Sequence, residues 1–170
     1  MADGNWTRYK LQRKLFAIGE DFWIENDRGE SVFKVDGKAL SIRDKFLLED
    51  QSGSELLSVE SKLIALQPTM KIERQGRLYA TVTKALFTLI HQHYTIQVEG
   101  SVAYEAKGDI TNHEYEVRNN DVPVAQISRQ WFSIRDAYGV AVAPDVDQAL
   151  MLAAAVCIDE ISERDREHHH

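Results

Sequence analysis

The chain has 170 residues, a formal net charge of −7, and 44% hydrophobic against 28% charged residues. That mixture excludes a disordered segment and suits one domain with a sizeable core, while the acidic balance argues against a dedicated nucleic-acid binder. A single cysteine, Cys157, rules out an intramolecular disulfide and fits a reducing, cytoplasmic compartment.

In chain order, the start lacks a basic stretch followed by an apolar one, so no signal peptide is expected. Residues 7–13 alternate weakly and are predicted to form a first strand. A recurring unit follows, made of a short alternating run, a turn rich in Gly, Asn and Asp, and a second run. The units pair 22–25 with 31–35, 46–49 with 56–59, 70–73 with 78–82, 94–98 with 102–104, and 115–117 with 122–125. This is the pattern of β-hairpins. The first four begin at Phe22, Phe46, Met70 and Tyr94, a constant spacing of 24 that points to a repeated supersecondary unit. A second echo joins Ser41-Ile42-Arg43-Asp44 to Ser133-Ile134-Arg135-Asp136. Here Arg43 with Asp44, and Arg135 with Asp136, are read as charge pairs at matching strand corners. The last strand is placed at 138–142, closed by Pro144, which gives about 12 strands in one domain over residues 6–162.

Residues 146–161 are predicted to form a helix, with Asp145 as its N-cap. From Ala149 to Ile158 every residue is apolar. Leu150, Met151, Leu152, Ala154, Val156, Cys157 and Ile158 therefore cover every side of the helix and leave no polar face. The run is about half of the roughly 20 residues a membrane span requires, so a core helix is expected instead. A sheet lying on one side would leave such a helix half exposed, whereas a sheet closed around it covers it and removes its own edges. The fold expected is thus mainly β, a closed antiparallel barrel of about 12 strands around a buried C-terminal helix. A two-sheet sandwich with the helix capping one end is the alternative. Residues 163–170 are read as a polar tail ending in part of a histidine tag.

Chemistry-bearing motifs are sparse. His91 and His93 would share a strand face, but no third metal ligand stands near them. His113-Glu114 lacks the second histidine of a zinc-protease motif, and no phosphate-binding glycine loop occurs. Cys157, set among Ala and Val, has the surroundings of an inert thiol. No catalytic residue, metal or cofactor is expected, and the chain is read as a non-enzyme.

Several segments together carry a family likeness. They are Tyr9-Lys10-Leu11-Gln12-Arg13-Lys14-Leu15-Phe16, Ile18-Gly19, Asp21-Phe22-Trp23-Ile24-Glu25-Asn26, Val32-Phe33-Lys34-Val35-Asp36-Gly37-Lys38, Ile42-Arg43-Asp44, His113-Glu114-Tyr115, Trp131-Phe132, Asp136-Ala137-Tyr138-Gly139-Val140 and the Cys157-bearing helix. Over about residues 8–161 the sequence resembles the LURP-one-related family, which is similar in fold to the C-terminal domain of Tubby proteins and to phospholipid scramblases. The resemblance implies a 12-stranded barrel threaded by a hydrophobic helix, and it carries no catalytic residues with it. The sequence departs from the family pattern at 62–70, where Ala65-Leu66-Gln67-Pro68 replaces an Ile-Arg-Asp-type element.

By fold analogy the function expected is a binding or membrane-tethering module for phosphoinositide or other anionic phospholipid headgroups. A scaffold for an unidentified protein partner is the second reading, and lipid scrambling the third. The densest basic cluster, Arg8, Lys10, Arg13 and Lys14, is the candidate headgroup contact. In a strand, Arg8 and Lys10 share one face and Arg13 takes the other. The protein is expected to be a cytoplasmic monomer, peripheral at the membrane, with no transmembrane span and no nucleic-acid partner.

Overall fold

The computed structural model describes residues 4–12, 21–36, 45–62, 67–86, 91–109, 114–129, 131 and 137–168. Twelve strands form one closed barrel in which each is hydrogen-bonded, antiparallel, to its sequence neighbours, and β1 (Thr7–Gln12) closes the ring against β12 (Ala137–Val142). Between them lie five hairpins: β2 (Phe22–Asn26) with β3 (Ser31–Asp36), β4 (Lys45–Asp50) with β5 (Glu55–Lys62), β6 (Thr69–Arg74) with β7 (Arg77–Lys84), β8 (His91–Val98) with β9 (Ala103–Asp109), and β10 (Glu114–Asn119) with β11 (Val122–Ser128). The closed barrel is therefore present, and the sandwich alternative is excluded.

The 24-residue period has a physical basis in the first hairpins. The ladder shifts register after Ile24, Leu48 and Ile72, at equivalent places in successive units. Each shift inserts a bulge that coils the sheet and helps it close. The turns repeat as well. Asn26 Oδ1 accepts the backbone N–H of Arg28 and Glu30 at 3.0 and 2.9 Å, and Asp50 Oδ1 accepts those of Ser52 and Ser54 at 2.9 and 3.0 Å. Gly29 and Gly53, again 24 apart, carry the positive φ of these turns at 77° and 85°.

Alternation decides which side of the wall is which. Phe46 and Leu48, Leu57 and Val59, Met70 and Ile72, Ala80 and Val82, and Tyr94 and Ile96 all point inward and are buried. Their neighbours Glu60, Lys71, Thr81, Thr95 and Glu105 take the outer phase. This is the reverse of a barrel that faces lipid, whose outer band is apolar. Among the described residues no helix is long and apolar enough to cross a membrane.

The helix, α1, spans Gln148–His168 and fills the barrel. Leu150, Met151, Leu152, Ala154, Val156, Cys157 and Ile158 are all buried. Two expectations about it are corrected. First, the cap is Asp147, not Asp145. Asp147 Oδ1 accepts the N–H of Leu150 at 3.1 Å, whereas Asp145 is exposed. The chain must turn from β12 into the lumen, and it does so at 143–146, where Val146 N–H reaches Ala143 O at 3.3 Å and the Gln148 amide braces both Ala143 O and Val146 O. The helix cannot begin until that turn is complete.

Second, the helix does not stop at 161. It runs through the predicted polar tail to His168. Glu and Arg are good helix formers, and Arg164 bonds Glu160 one turn back at 2.8 Å while reaching Ser61 Oγ in β5 at 2.8 Å. Lys84 in β7 pairs with Asp165. The departing segment falls in part outside the described residues, at 63–66. His113 and both corner pairs, Arg43 with Asp44 and Arg135 with Asp136, lie outside them entirely.

Candidate functional site

The lumen is occupied by packed side chains, so the candidate site lies on the outer wall. Tyr9 and Leu11 of β1 point inward, which turns Arg8 and Lys10 outward together. Across the ladder they face Ala141 and Gly139 of β12, the two smallest kinds of side chain. Small neighbours leave room above them. Trp131, from the connection between β11 and β12, carries the Arg8 guanidinium over its ring at 5.0 Å from the centroid.

On the other flank, Lys10 lies directly opposite Glu25 of β2. Arg8, Lys10, Glu25, Asn26, Asp27, Gly29 and Trp131 together line an open cleft of about 360 Å³. Two of its ionisable side chains are cations and two are carboxylates. The turn between β2 and β3 that carries Asp27 is braced, for the Asn26 amide also donates to Glu30 Oε2 at 2.7 Å. On the inner face of the same strand, the Tyr9 hydroxyl donates to Gln148 Oε1 at 2.9 Å. The strand that carries the cleft is thus tethered to the start of the helix.

The geometry has a chemical meaning. Stacking uses the face of a guanidinium and leaves its N–H edge available to an oxyanion in a planar, two-pronged arrangement. Such a cation–π contact is worth about 0.5–1 kcal/mol at an exposed site, enough to bias the Arg8 rotamer.

The structure brings two of the four predicted basic residues into one place, while Arg13 and Lys14 lie outside the described residues. His91 and His93 share the outer face of β8, where His93 Nε2 is 3.5 Å from Glu105 Oε2. Among the described residues no group of three His, Cys, Asp or Glu side chains is placed to hold a metal. Cys157 is fully buried, and burial raises its thiol well above the ordinary range, with Glu160 adding to the effect. Glu25 and Asp27 escaped the sequence reading as site residues because nothing local marks them. Trp131 meets Arg8 only through the closure of β1 on β12.

A second cluster was also missed. Inside the barrel, Gln92 Oε1 receives the hydroxyls of Tyr94, Tyr115 and Ser162 at 3.0, 2.6 and 3.1 Å. Gln92 falls in the inward phase of β8, and that was the signal available. Burial raises both phenols, most strongly Tyr94, so they are neutral donors. The arrangement is a closed polar knot that fixes α1 to β8 and β10, with no open path to solvent needed to satisfy it.

A closed antiparallel barrel filled by a hydrophobic helix places the chain among β-barrel proteins whose core is a buried helix. The LURP-one-related family profile matches residues 7–159, and the chain belongs to that family. The fold is similar to the X-ray structure of an Arabidopsis thaliana protein, from locus AT5G01750. That likeness has a TM-score of 0.68 at 21% identity and covers 94% of this chain and 93% of the other. A comparison with curated proteins finds no match.

Proposed function

We propose that this barrel is a non-enzymatic binding module, a peripheral cytoplasmic protein that engages phosphate-bearing lipid headgroups through the cleft at Arg8, Lys10 and Trp131. The observation that carries the reading is the stacked Arg8, whose free N–H edge is set beside Lys10 in an open cleft. Binding is weak by construction. A net charge of −7 repels an anionic surface at long range, so attraction acts only within a Debye length of about 8–10 Å. At about 1 kcal/mol per basic residue near such a surface, two residues contribute roughly 2 kcal/mol.

Sedimentation with liposomes containing phosphoinositide or phosphatidylserine, at low and at physiological salt, tests this. Salt-sensitive pelleting that disappears in an Arg8→Ala, Lys10→Ala variant supports the module. An absence of pelleting even at low salt overturns it and leaves the scaffold reading in its place.

A further inference from the structure

Resting on the binding-module reading, we infer that the cleft selects a headgroup bearing both a phosphate and a primary ammonium, the phosphoethanolamine class, over a polyanion. Its walls carry opposite charges. The β1 wall contributes Arg8 and Lys10, and β2 with its turn contributes Glu25 and Asp27. A single phosphate meets the cations, but each further phosphate of an inositol polyphosphate is driven toward the two carboxylates, where like charge repels it.

The strand spacing leaves the two walls within reach of one such ligand. Side chains opposite one another on adjacent strands stand about 4.5–5.5 Å apart at Cβ, the scale on which a two-carbon ethanolamine unit separates phosphate from nitrogen. Lys10 and Glu25 are such a pair. The ligand's own two charges then reproduce the cross-strand pairing, phosphate on the Arg8 and Lys10 side and ammonium on the Glu25 and Asp27 side. Each wall then meets a ligand charge of the opposite sign.

The nitrogen is further specified. A primary ammonium donates N–H bonds to carboxylates, whereas a quaternary choline nitrogen has none and is normally held by aromatic faces. The one tryptophan face offered by the cleft lining already carries the Arg8 guanidinium. Choline is therefore the disfavoured member of the class. The backbone that carries the acidic wall is also fixed, because the side chain of Asn26, between Glu25 and Asp27, is committed to the turn by three hydrogen bonds.

The test is a titration of the full chain, followed at the Trp131 indole N–H resonance, with glycerophosphoethanolamine, glycerophosphocholine, inositol trisphosphate and inorganic phosphate. The expected order places glycerophosphoethanolamine tightest. In the Glu25→Gln, Asp27→Asn variant its affinity falls roughly tenfold, the scale of one charge-assisted contact, while inorganic phosphate binds as well or better. Arg8→Ala weakens every probe. Choline and ethanolamine probes binding equally, or inositol trisphosphate binding tightest to the unaltered protein, overturns the selectivity but leaves a phosphate-binding module standing. No shift with any probe overturns the inference. If vesicles still pellet in that case, the module acts through another surface; if they do not, both readings fall. Comparison of phosphatidylcholine vesicles with and without phosphatidylethanolamine separates a membrane source from a free one, since added pelleting appears only for the former.

Discussion

The ring of Tyr115 lies across Gly108. The two residues are directly opposed on β10 and β9, and a Cβ placed at Gly108 would sit 2.1 Å from Tyr115 Cδ1 and 2.6 Å from Glu114 O. On its other side Gly108 is opposed to Gln92 of β8. Three strands thus present Gln92, a gap and Tyr115 in one row, and the tyrosine spans the gap to donate its hydroxyl to Gln92 at 2.6 Å. The glycine is required by this close approach of a neighbouring ring. Gly108→Ala should destabilise the protein by about 1–3 kcal/mol through overpacking. Thermal or denaturant unfolding checks it, and the cost should shrink in a Tyr115→Ala background, where the ring is gone. Equal costs in both backgrounds would show that the ring is not the obstacle.

The polar knot at Gln92 is asymmetric. One amide oxygen serves three hydroxyls, so Tyr115→Phe removes one of three donors and should cost about 0.5–1.5 kcal/mol. Gln92→Ala leaves Tyr94, Tyr115 and Ser162 without their shared acceptor and should cost more, about 1–3 kcal/mol. Urea denaturation of the two variants decides the order.

The same phenols set an alkaline limit. Their folded pKa values lie above the ordinary one, so the unfolded chain loses these protons first, from about pH 10. Their contribution is intact below that pH, and stability falls as pH rises beyond it. Absorbance at the tyrosinate band should show Tyr94 and Tyr115 ionising only together with loss of structure. Ionisation of all six tyrosines in a protein that remains folded would contradict this.

Asp147 joins three roles: helix cap, acceptor of the Tyr79 hydroxyl at 2.8 Å, and partner of Arg74, which itself lies over the Tyr79 ring. Burial alone would raise its pKa, but the Leu150 N–H, Tyr79 and Arg74 outweigh burial and hold it below the usual carboxylate range. A depressed carboxyl contributes stability above its unfolded pKa of about 3.9, and loses it as pH falls through the lower, folded value. Asp147→Ala should cost about 1–2 kcal/mol for the cap and flatten the acid limb of a stability–pH profile. An unchanged acid limb would remove Asp147 from this role.

Cys157 should react with a thiol reagent only after denaturant is added, because it is fully buried and its thiolate is disfavoured. Rapid stoichiometric labelling of the folded protein would show that the helix leaves the barrel. By the same burial, Ala154→Asp places an unpaired carboxylate in the lumen and should prevent folding. A soluble variant with an unchanged melting temperature would count against a closed wall around it.

Alternation, the 24-residue period and a helix with no polar face were enough to determine about twelve strands and their hairpin pairing, and they favoured a closed wall over a sandwich. These are local patterns: a strand's faces alternate with a period of two, and an all-apolar helix demands cover on every side. The first cap went to Asp145 because both aspartates precede the apolar run, and only the path of the chain from β12 into the lumen distinguishes them. The helix end was misplaced because the ties of Arg164 to Ser61 and of Asp165 to Lys84 join residues 103 and 81 positions apart. The candidate site was half legible. Strand phase put Arg8 and Lys10 on one face, but Trp131 and Glu25 reach them through the pairing of β1 with β12 and β2, and Tyr115 finds Gln92 across a glycine on a third strand. Such contacts depend on register, and register is settled only when the barrel closes and all twelve strands fit around one helix.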